Sequence, residues 1–286
     1  MSDFVHDAKD VQFQEYTEEG QPGDGLIRIQ WRNGDPKTNS AGYFFLAKAN
    51  APEGFEPGTA WTEHTEYFEG SRTREAGWKA IALPVCIICT RAQPYVRSES
   101  GRKDWRSKWA TNEQGAAQHV DVLLIADGLQ ALGPVCWSTN STKAAFAIIG
   151  RADAKRGYSG GILERIRNEV LIPAGRHAGE EKKFAKQPWV FWATITSEHD
   201  AKGNPTYTET PGKLVTLPVV ELPAKIDYEW LKEAYSGAEM MLYGEEMRAK
   251  YDAWKTTKYT NEPGKTEAAD QLVKNVPEPI GDEPPF

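Results

Sequence analysis

Short runs of β-forming residues, separated by turn sequences, dominate the first 225 positions of the chain. The runs are residues 26–31, 43–47, 77–90, 119–126, 189–196 and 213–222. Between them lie turn sequences such as NGDP at residues 33–36. Because short apolar or alternating runs bounded by Gly, Pro and Asn are typical of strands, these runs predict a mainly β body.

Helical periodicity is concentrated after this body. Residues 227–254 repeat apolar and aromatic side chains at near-helical spacing, with Gly237 and Gly244 as the predicted breaks. We therefore predict an α+β chain in which residues 1–225 form the β-rich body and residues 226–254 form a helical segment packed on it. Within this class, an OB-type curved barrel with helices at its margin is the architecture we expect.

A basic segment interrupts an otherwise acidic chain: the net charge is −7, but residues 70–113 carry nine basic and four acidic side chains. A nonspecific binder of single-stranded nucleic acid needs cations for the phosphates and exposed rings on which bases stack. Residues 91–109 interleave both, and we expect a loop or hairpin that projects from the barrel. The candidate nucleic-acid-binding residues are Tyr95, Arg97, Arg102, Lys103, Trp105, Arg106, Lys108 and Trp109. The alternative is that the rings anchor the loop to the core and the charges are merely solvated.

Signals for metal binding or catalysis are weak. Cys86 and Cys89 have the spacing of half a zinc site, but no second pair of ligands accompanies them, and their apolar neighbours predict a buried strand. No nucleophile, base and orienting group form a catalytic pattern, so we predict a protein that is not an enzyme and uses no metal or cofactor. Three cysteines, without a signal-like or membrane-spanning stretch, favour a cytoplasmic location, which is the host cytoplasm if a phage encodes the chain.

Residues 255–286 differ in character from the rest of the chain. They contain five Pro and six acidic residues without a periodic apolar pattern, which predicts a disordered acidic tail. An aromatic side chain beside a free carboxylate suits a small apolar pocket rimmed by Lys or Arg on another protein. The predicted partner-binding residues are Asp282, Glu283, Pro284, Pro285 and Phe286.

The end of this tail resembles that of the bacterial and phage single-stranded DNA-binding proteins, whose chains close with an acidic tip and Pro-Phe. The matching positions are Asp282, Glu283, Pro285 and Phe286, while Pro284 stands where the family commonly has Ile. The resemblance covers only these terminal residues, and it implies a divergent phage or plasmid version. In that family the tip docks on replication, recombination and repair enzymes.

The sequence thus predicts a DNA-binding protein that coats single-stranded DNA in replication or recombination and recruits partners through its tail. Two alternatives stay open. One is a recombination or annealing accessory protein, or a nuclease, with a docking tail. The other is an interaction protein that does not contact DNA. No membrane partner is expected, and a homo-oligomer is left open.

Overall fold

The fold is described from a computed structural model. It covers residues 26–68, 72–97, 103–107, 116–139, 191–210, 213–223 and 228–256, and shorter pieces at 148, 161–163, 165, 171–173, 181–183, 226 and 258–259. Within these residues β-strands predominate, so the mainly β prediction is confirmed. In this part of the chain no helix combines the length and the apolar character needed to cross a membrane.

Fourteen strands are present in the described residues. In chain order they are β1 (Ile27–Arg32), β2 (Tyr43–Ala47), β3 (Thr62–Phe68), β4 (Thr73–Ala80), β5 (Leu83–Arg97), β6 (Lys103–Trp105), β7 (Ala116–Ala126), β8 (Val135–Thr139), β9 (Leu171–Pro173), β10 (Glu181–Lys183), β11 (Ala193–Ser197), β12 (Thr208–Thr210), β13 (Lys213–Val215) and β14 (Pro218–Glu221). Short 3-10 helices follow β2 at Lys48–Asn50 and precede β8 at Gln130–Leu132.

Ten strands form one sheet in the order β14-β11-β5-β7-β8-β1-β2-β4-β3, and β6 pairs with the far end of β5. Its pairs are antiparallel except for β1 and β8, which run parallel. The order ends at β14 and β3 without a pairing between them in the described residues, so a closed barrel is not seen there. Two smaller sheets pair β9 with β10 and β12 with β13.

The long strand β5 changes face at a bulge. Its register with β7 shifts between Ile87 and Cys89, so Ile88 is an extra residue. After the bulge the odd-numbered residues share one face, and Arg91, Gln93 and Tyr95 are all buried there. The bulge therefore places a row of polar side chains on the face that the C-terminal helices cover.

Three helices follow the strands: α1 (Tyr228–Ala234), α2 (Ala238–Lys250) and α3 (Asp252–Thr256). Gly237 precedes α2 with φ 95°, as expected for a helix break, whereas Gly244 lies inside α2 and does not break it. Helices α2 and α3 pack on β5, and Trp254 is fully buried.

Described structure extends past residue 255, where the sequence predicts the start of the tail. Helix α3 continues to Thr256, and Tyr259 is buried against the sheet because aromatic and polar partners from β5, β6 and β7 surround its ring. Residues 260–286, with the predicted partner-binding residues Asp282, Glu283, Pro284, Pro285 and Phe286, lie outside the described part.

Candidate functional site

The predicted basic loop is a hairpin of β5 and β6. Tyr95 lies opposite Trp105, and Arg97 lies opposite Lys103. Arg97 is exposed, and Arg106 is partly exposed and forms an ion pair with Asp104. Arg102, Lys108 and Trp109 lie outside the described residues. Of the predicted cationic side chains that the structure describes, Arg97 and Arg106 therefore lie at the surface of the hairpin.

The rings of this hairpin are not exposed for stacking in this conformation. Tyr95 is 3% exposed and Trp105 is 7% exposed, and both pack in a small apolar cluster with Tyr259. Lys103 is also buried, with its ammonium nitrogen 5.6 Å from the ring centroids of both Tyr95 and Trp105. The expectation of open stacking rings is therefore corrected for Tyr95 and Trp105, because a later part of the chain covers them.

Tyr259 is the side chain that covers Trp105. The two rings stack with centroids 4.2 Å apart and planes 13° apart. The guanidinium carbon of Arg91 lies 4.5 Å from the centroid of the Tyr259 ring and equally far from that of Trp254. The Gln93 side chain holds the Tyr259 backbone: its amide donates to the carbonyl at 2.9 Å and its oxygen accepts from the N–H at 2.6 Å.

A buried polar network continues from Tyr259 across three strands. Arg91 donates through Nε and Nη2 to Asp121 Oδ2 at 3.0 and 2.6 Å. On the other carboxylate oxygen, Ser138 Oγ donates at 2.6 Å and His119 Nε2 lies at 2.9 Å. The Tyr259 hydroxyl donates to Asp121 and accepts from Arg91 Nη2 at 2.7 Å. Asp121 is therefore the common acceptor of the network.

The electrostatics of this network favour an ionised Asp121 and a neutral Tyr259. Burial by itself would raise the pKa of Asp121, but the facing His119 and Arg91 outweigh it and hold that pKa well below its usual range. Burial, reinforced by the Asp121 charge, raises the pKa of Tyr259 well above its usual value. The phenol therefore keeps its proton and remains a hydrogen-bond donor to the carboxylate.

One donor in the network is left over. Arg91 is only 2% exposed, and its Nη1 atom is buried without a hydrogen-bond partner in the described structure. Buried polar atoms normally have a partner, so Arg91 keeps one donor that the described groups do not use.

The order of groups in the network does not match nucleophilic catalysis. In a serine triad the imidazole lies between the hydroxyl and the carboxylate. Here Ser138 donates directly to Asp121, and His119 contacts that same carboxylate oxygen. The described groups therefore do not have the order that activates a serine hydroxyl.

Sequence reasoning missed Asp121, His119, Ser138 and Tyr259. A signal for the first two was present, because His119 and Asp121 alternate with apolar residues at the start of a β run. Ionisable groups at alternating positions of a buried strand indicate a polar row on one face. Tyr259 gave no signal, since its surroundings are rich in polar residues and resemble a tail.

A second polar cluster lies on β1, β2 and β3. Arg32 Nε donates to Glu66 Oε1 at 3.0 Å, and the Tyr43 hydroxyl donates to Glu66 Oε2. His64 Nε2 lies 3.2 Å from the same carboxylate oxygen and 3.2 Å from the Tyr43 hydroxyl. Burial, followed by the Glu66 contact, raises the pKa of Tyr43. The groups of this cluster therefore serve as hydrogen-bond partners for one another.

The cysteines lie in the core. Cys86 and Cys89 are buried, and burial raises the pKa of both thiols, for Cys89 to about 11. Among the described residues, no group of three or more His, Cys, Asp or Glu side chains is arranged to hold a metal ion.

No protein-family model matches the sequence, and neither the curated proteins nor the solved structures give a significant match. The class of protein must therefore be inferred from its own residues. They define a mainly β protein in which a basic hairpin adjoins a buried Arg–Asp–His–Tyr network, and an aromatic stack joins the two.

Proposed function

We propose that this chain is a single-stranded DNA-binding protein of phage or plasmid type that acts in replication or recombination. The observation that carries the proposal is the Trp105 indole, whose face accepts a flat aromatic ring beside the cationic side chains of a hairpin. Stacking of bases on aromatic rings and neutralisation of phosphates are the two contributions that sequence-independent binding requires.

The position of the charges supports this function. Arg97 and Arg106 lie at the solvent side of the hairpin, within the segment of positive balance in an acidic chain. A locally positive surface attracts a polyanion, while the remaining acidic surface limits contacts elsewhere. The resemblance of the terminal segment to the tips of single-stranded DNA-binding proteins adds support that comes from the sequence alone.

The OB-type barrel stays part of the proposal. A strongly curved sheet with a long hairpin is the geometry in which OB-fold proteins hold oligonucleotides. Strand β5 spans fifteen residues and pairs with β11, β7 and β6 along its length, which is compatible with such curvature.

Binding is tested by titrating the full chain with an oligothymidylate and with a duplex of equal length, at several salt concentrations. We expect binding to the single strand that weakens as salt rises, because bound phosphates release counterions. The double variant Arg97→Glu/Arg106→Glu should bind at least roughly tenfold more weakly and depend less on salt. Lys202→Glu/Lys232→Glu, which reverses two exposed lysines outside the hairpin, is the control of equal charge change and should have little effect.

A flat titration at low salt would remove the proposal in favour of an interaction protein without DNA contact. Cleavage or pairing of strands by the purified chain would instead support the nuclease or annealing alternative. Equal binding by the arginine double variant would show that the hairpin is not the contact surface.

A further inference from the structure

We propose that the position of the Tyr259 ring on Trp105 is a nucleobase-binding site, which the chain's own tyrosine occupies here and which a base of single-stranded DNA takes over. This inference rests on the proposed function and deepens it, because it assigns the stacking position and the side chains that would contact the base.

The Tyr259 ring lies on Trp105 as a base would. Their planes differ by 13°, whereas the neighbouring ring contacts are edge-on: 62° between Tyr95 and Trp105 and 77° between Trp105 and His119. Aromatic pairs in protein cores adopt both edge-on and offset-parallel arrangements, and the parallel arrangement is the one in which bases bind to indoles. The indole face of Trp105 is therefore shaped and oriented to take a planar ring.

The polar groups around the Tyr259 hydroxyl match the edge of a base. That hydroxyl donates to Asp121 and accepts from Arg91 Nη2, so a carboxylate acceptor and a guanidinium donor lie side by side. The hydrogen-bonding edge of a base likewise presents donors and acceptors next to each other. Arg91 Nη1, buried without a partner in the described structure, supplies one more donor for a base oxygen or a phosphate.

The tyrosine can leave without unfolding the sheet. It lies beyond the end of α3, and its backbone is held by the two hydrogen bonds to the Gln93 side chain. Moving residues 258–259 away breaks no strand pair and leaves Trp254 of α3 in place over Arg91. Displacement of a short segment that belongs to no strand is a local event that costs less than global unfolding.

The test compares variants of the full chain in binding to an oligothymidylate at low salt. Tyr259→Leu removes the competing ring and its hydroxyl contacts, so we expect roughly tenfold tighter binding, because leucine competes less well than tyrosine for the indole face. Tyr259→Phe keeps the stack but loses the hydroxyl and should give a smaller gain. Tyr67→Leu, at an exposed tyrosine on β3, is the matched control and should bind like wild type.

The position of the bound base is tested by combining the Trp105 and Tyr259 substitutions and by photocross-linking. In a Trp105→Leu background, Tyr259→Leu should give no gain, because the stacking surface is absent. An oligothymidylate with one 5-iododeoxyuridine should photocross-link to Trp105, and more efficiently in Tyr259→Leu. Cross-linking uses the intact indole, so it decides the question even if Trp105→Leu does not fold.

The outcomes separate this inference from the proposed function. If wild type binds the single strand but Tyr259→Leu binds equally and the cross-links map away from Trp105, the site is wrong and the function stands. If neither wild type nor Tyr259→Leu binds, the proposed function fails and the inference fails with it.

Discussion

Asp121 is the common acceptor of the polar network on β5, β7 and β8. Its carboxylate is fully buried and accepts from Arg91, Ser138 and Tyr259. A buried ion pair contributes little net stability compared with apolar side chains of equal size. Removing one partner is much more costly, because the other charge then stays buried without compensation. Removing one member of the network should therefore reduce stability more than replacing the Arg91–Asp121 pair by apolar side chains.

We expect Asp121→Ala to lower the free energy of unfolding by ~3–5 kcal/mol, because Arg91 keeps its charge in a buried site. The double variant Arg91→Leu/Asp121→Leu should lose less than Asp121→Ala alone. Urea unfolding followed by circular dichroism measures both. Glu63→Ala, which breaks the exposed pair with Lys48, is the control and should leave the midpoint nearly unchanged. Equal losses in Asp121→Ala and in the double variant would contradict this account.

For individual residues, the sequence predicts the exposure of the charged side chains better than that of the aromatic ones. Arg97 and Arg106 are placed near solvent, as a basic segment predicts, whereas Tyr95 and Trp105 are covered. An aromatic side chain in a basic segment fits a binding surface and a small core equally well. Whether Trp105 is exposed or buried depends on Tyr259, which lies more than 150 positions later in the chain. No local sequence pattern predicts that contact.

At the scale of elements, the apolar and alternating runs predict the positions of the strands better than the residues at which the strands begin and end. The run at residues 43–47 coincides with β2, and that at residues 119–126 lies within β7. The run predicted at residues 77–90 covers parts of two strands: β4 ends at Ala80, and Pro84 lies inside β5 opposite Thr194 of β11. The single extra residue at Ile88 escaped prediction, because both sides of the bulge are apolar.

The connection between β7 and β8 depends on a close approach of two glycines. Gly58 N–H donates to the Gly128 carbonyl at 3.0 Å, and a Cβ on Gly128 would lie 2.9 Å from the Gly58 nitrogen. Gly128 also has φ +77°, which is unfavourable for side chains other than glycine. Trp61 completes the contact by donating from its indole to the Asp127 carbonyl at 2.9 Å.

Gly54 provides the matched comparison, with φ +76° and open space around its Cβ position. Gly54→Ala should cost only the backbone strain of ~1–2 kcal/mol. Gly128→Ala should cost a further ~1–3 kcal/mol, because backbone atoms of Gly58 cannot move away as a flexible side chain could. Thermal unfolding of both variants measures the difference, and equal melting temperatures would show that the contact is loose.

At the scale of the whole molecule, the class of fold was predictable and the order of strands was not. Alternating runs indicate strands, but strand order depends on pairings between distant segments. The parallel pair of β1 and β8 joins Ile27 to Val135, and β14 pairs with β11 rather than with a strand of the β1–β4 region. Turn signals alone favour hairpins between consecutive strands, so these pairings lie beyond sequence patterns.

The proposal assigns DNA binding to the β-rich body and partner recruitment to the C-terminal tail, and a deletion can separate these two roles. Deleting residues 276–286 should leave or raise affinity for single-stranded DNA, because an acidic segment competes for a basic surface. The same deletion should abolish recruitment of replication or recombination proteins in a pull-down from a host extract. Weakened DNA binding together with intact recruitment would contradict the separation of the two roles. The full-length variant Glu53→Gln/Glu56→Gln/Glu233→Gln, which removes three exposed negative charges outside the tail, controls for the general change of charge.

The central place of β1 has a consequence for how the chain can be shortened. Among the described strands, β1 is the one that hydrogen-bonds the group ending in β8 to the group that begins with β2. A truncation that removes residues 27–32 would leave two unpaired edges facing each other, and open edges promote association between molecules. Expression variants that begin after residue 32 should therefore aggregate, while those that begin before Ile27 keep both edges closed.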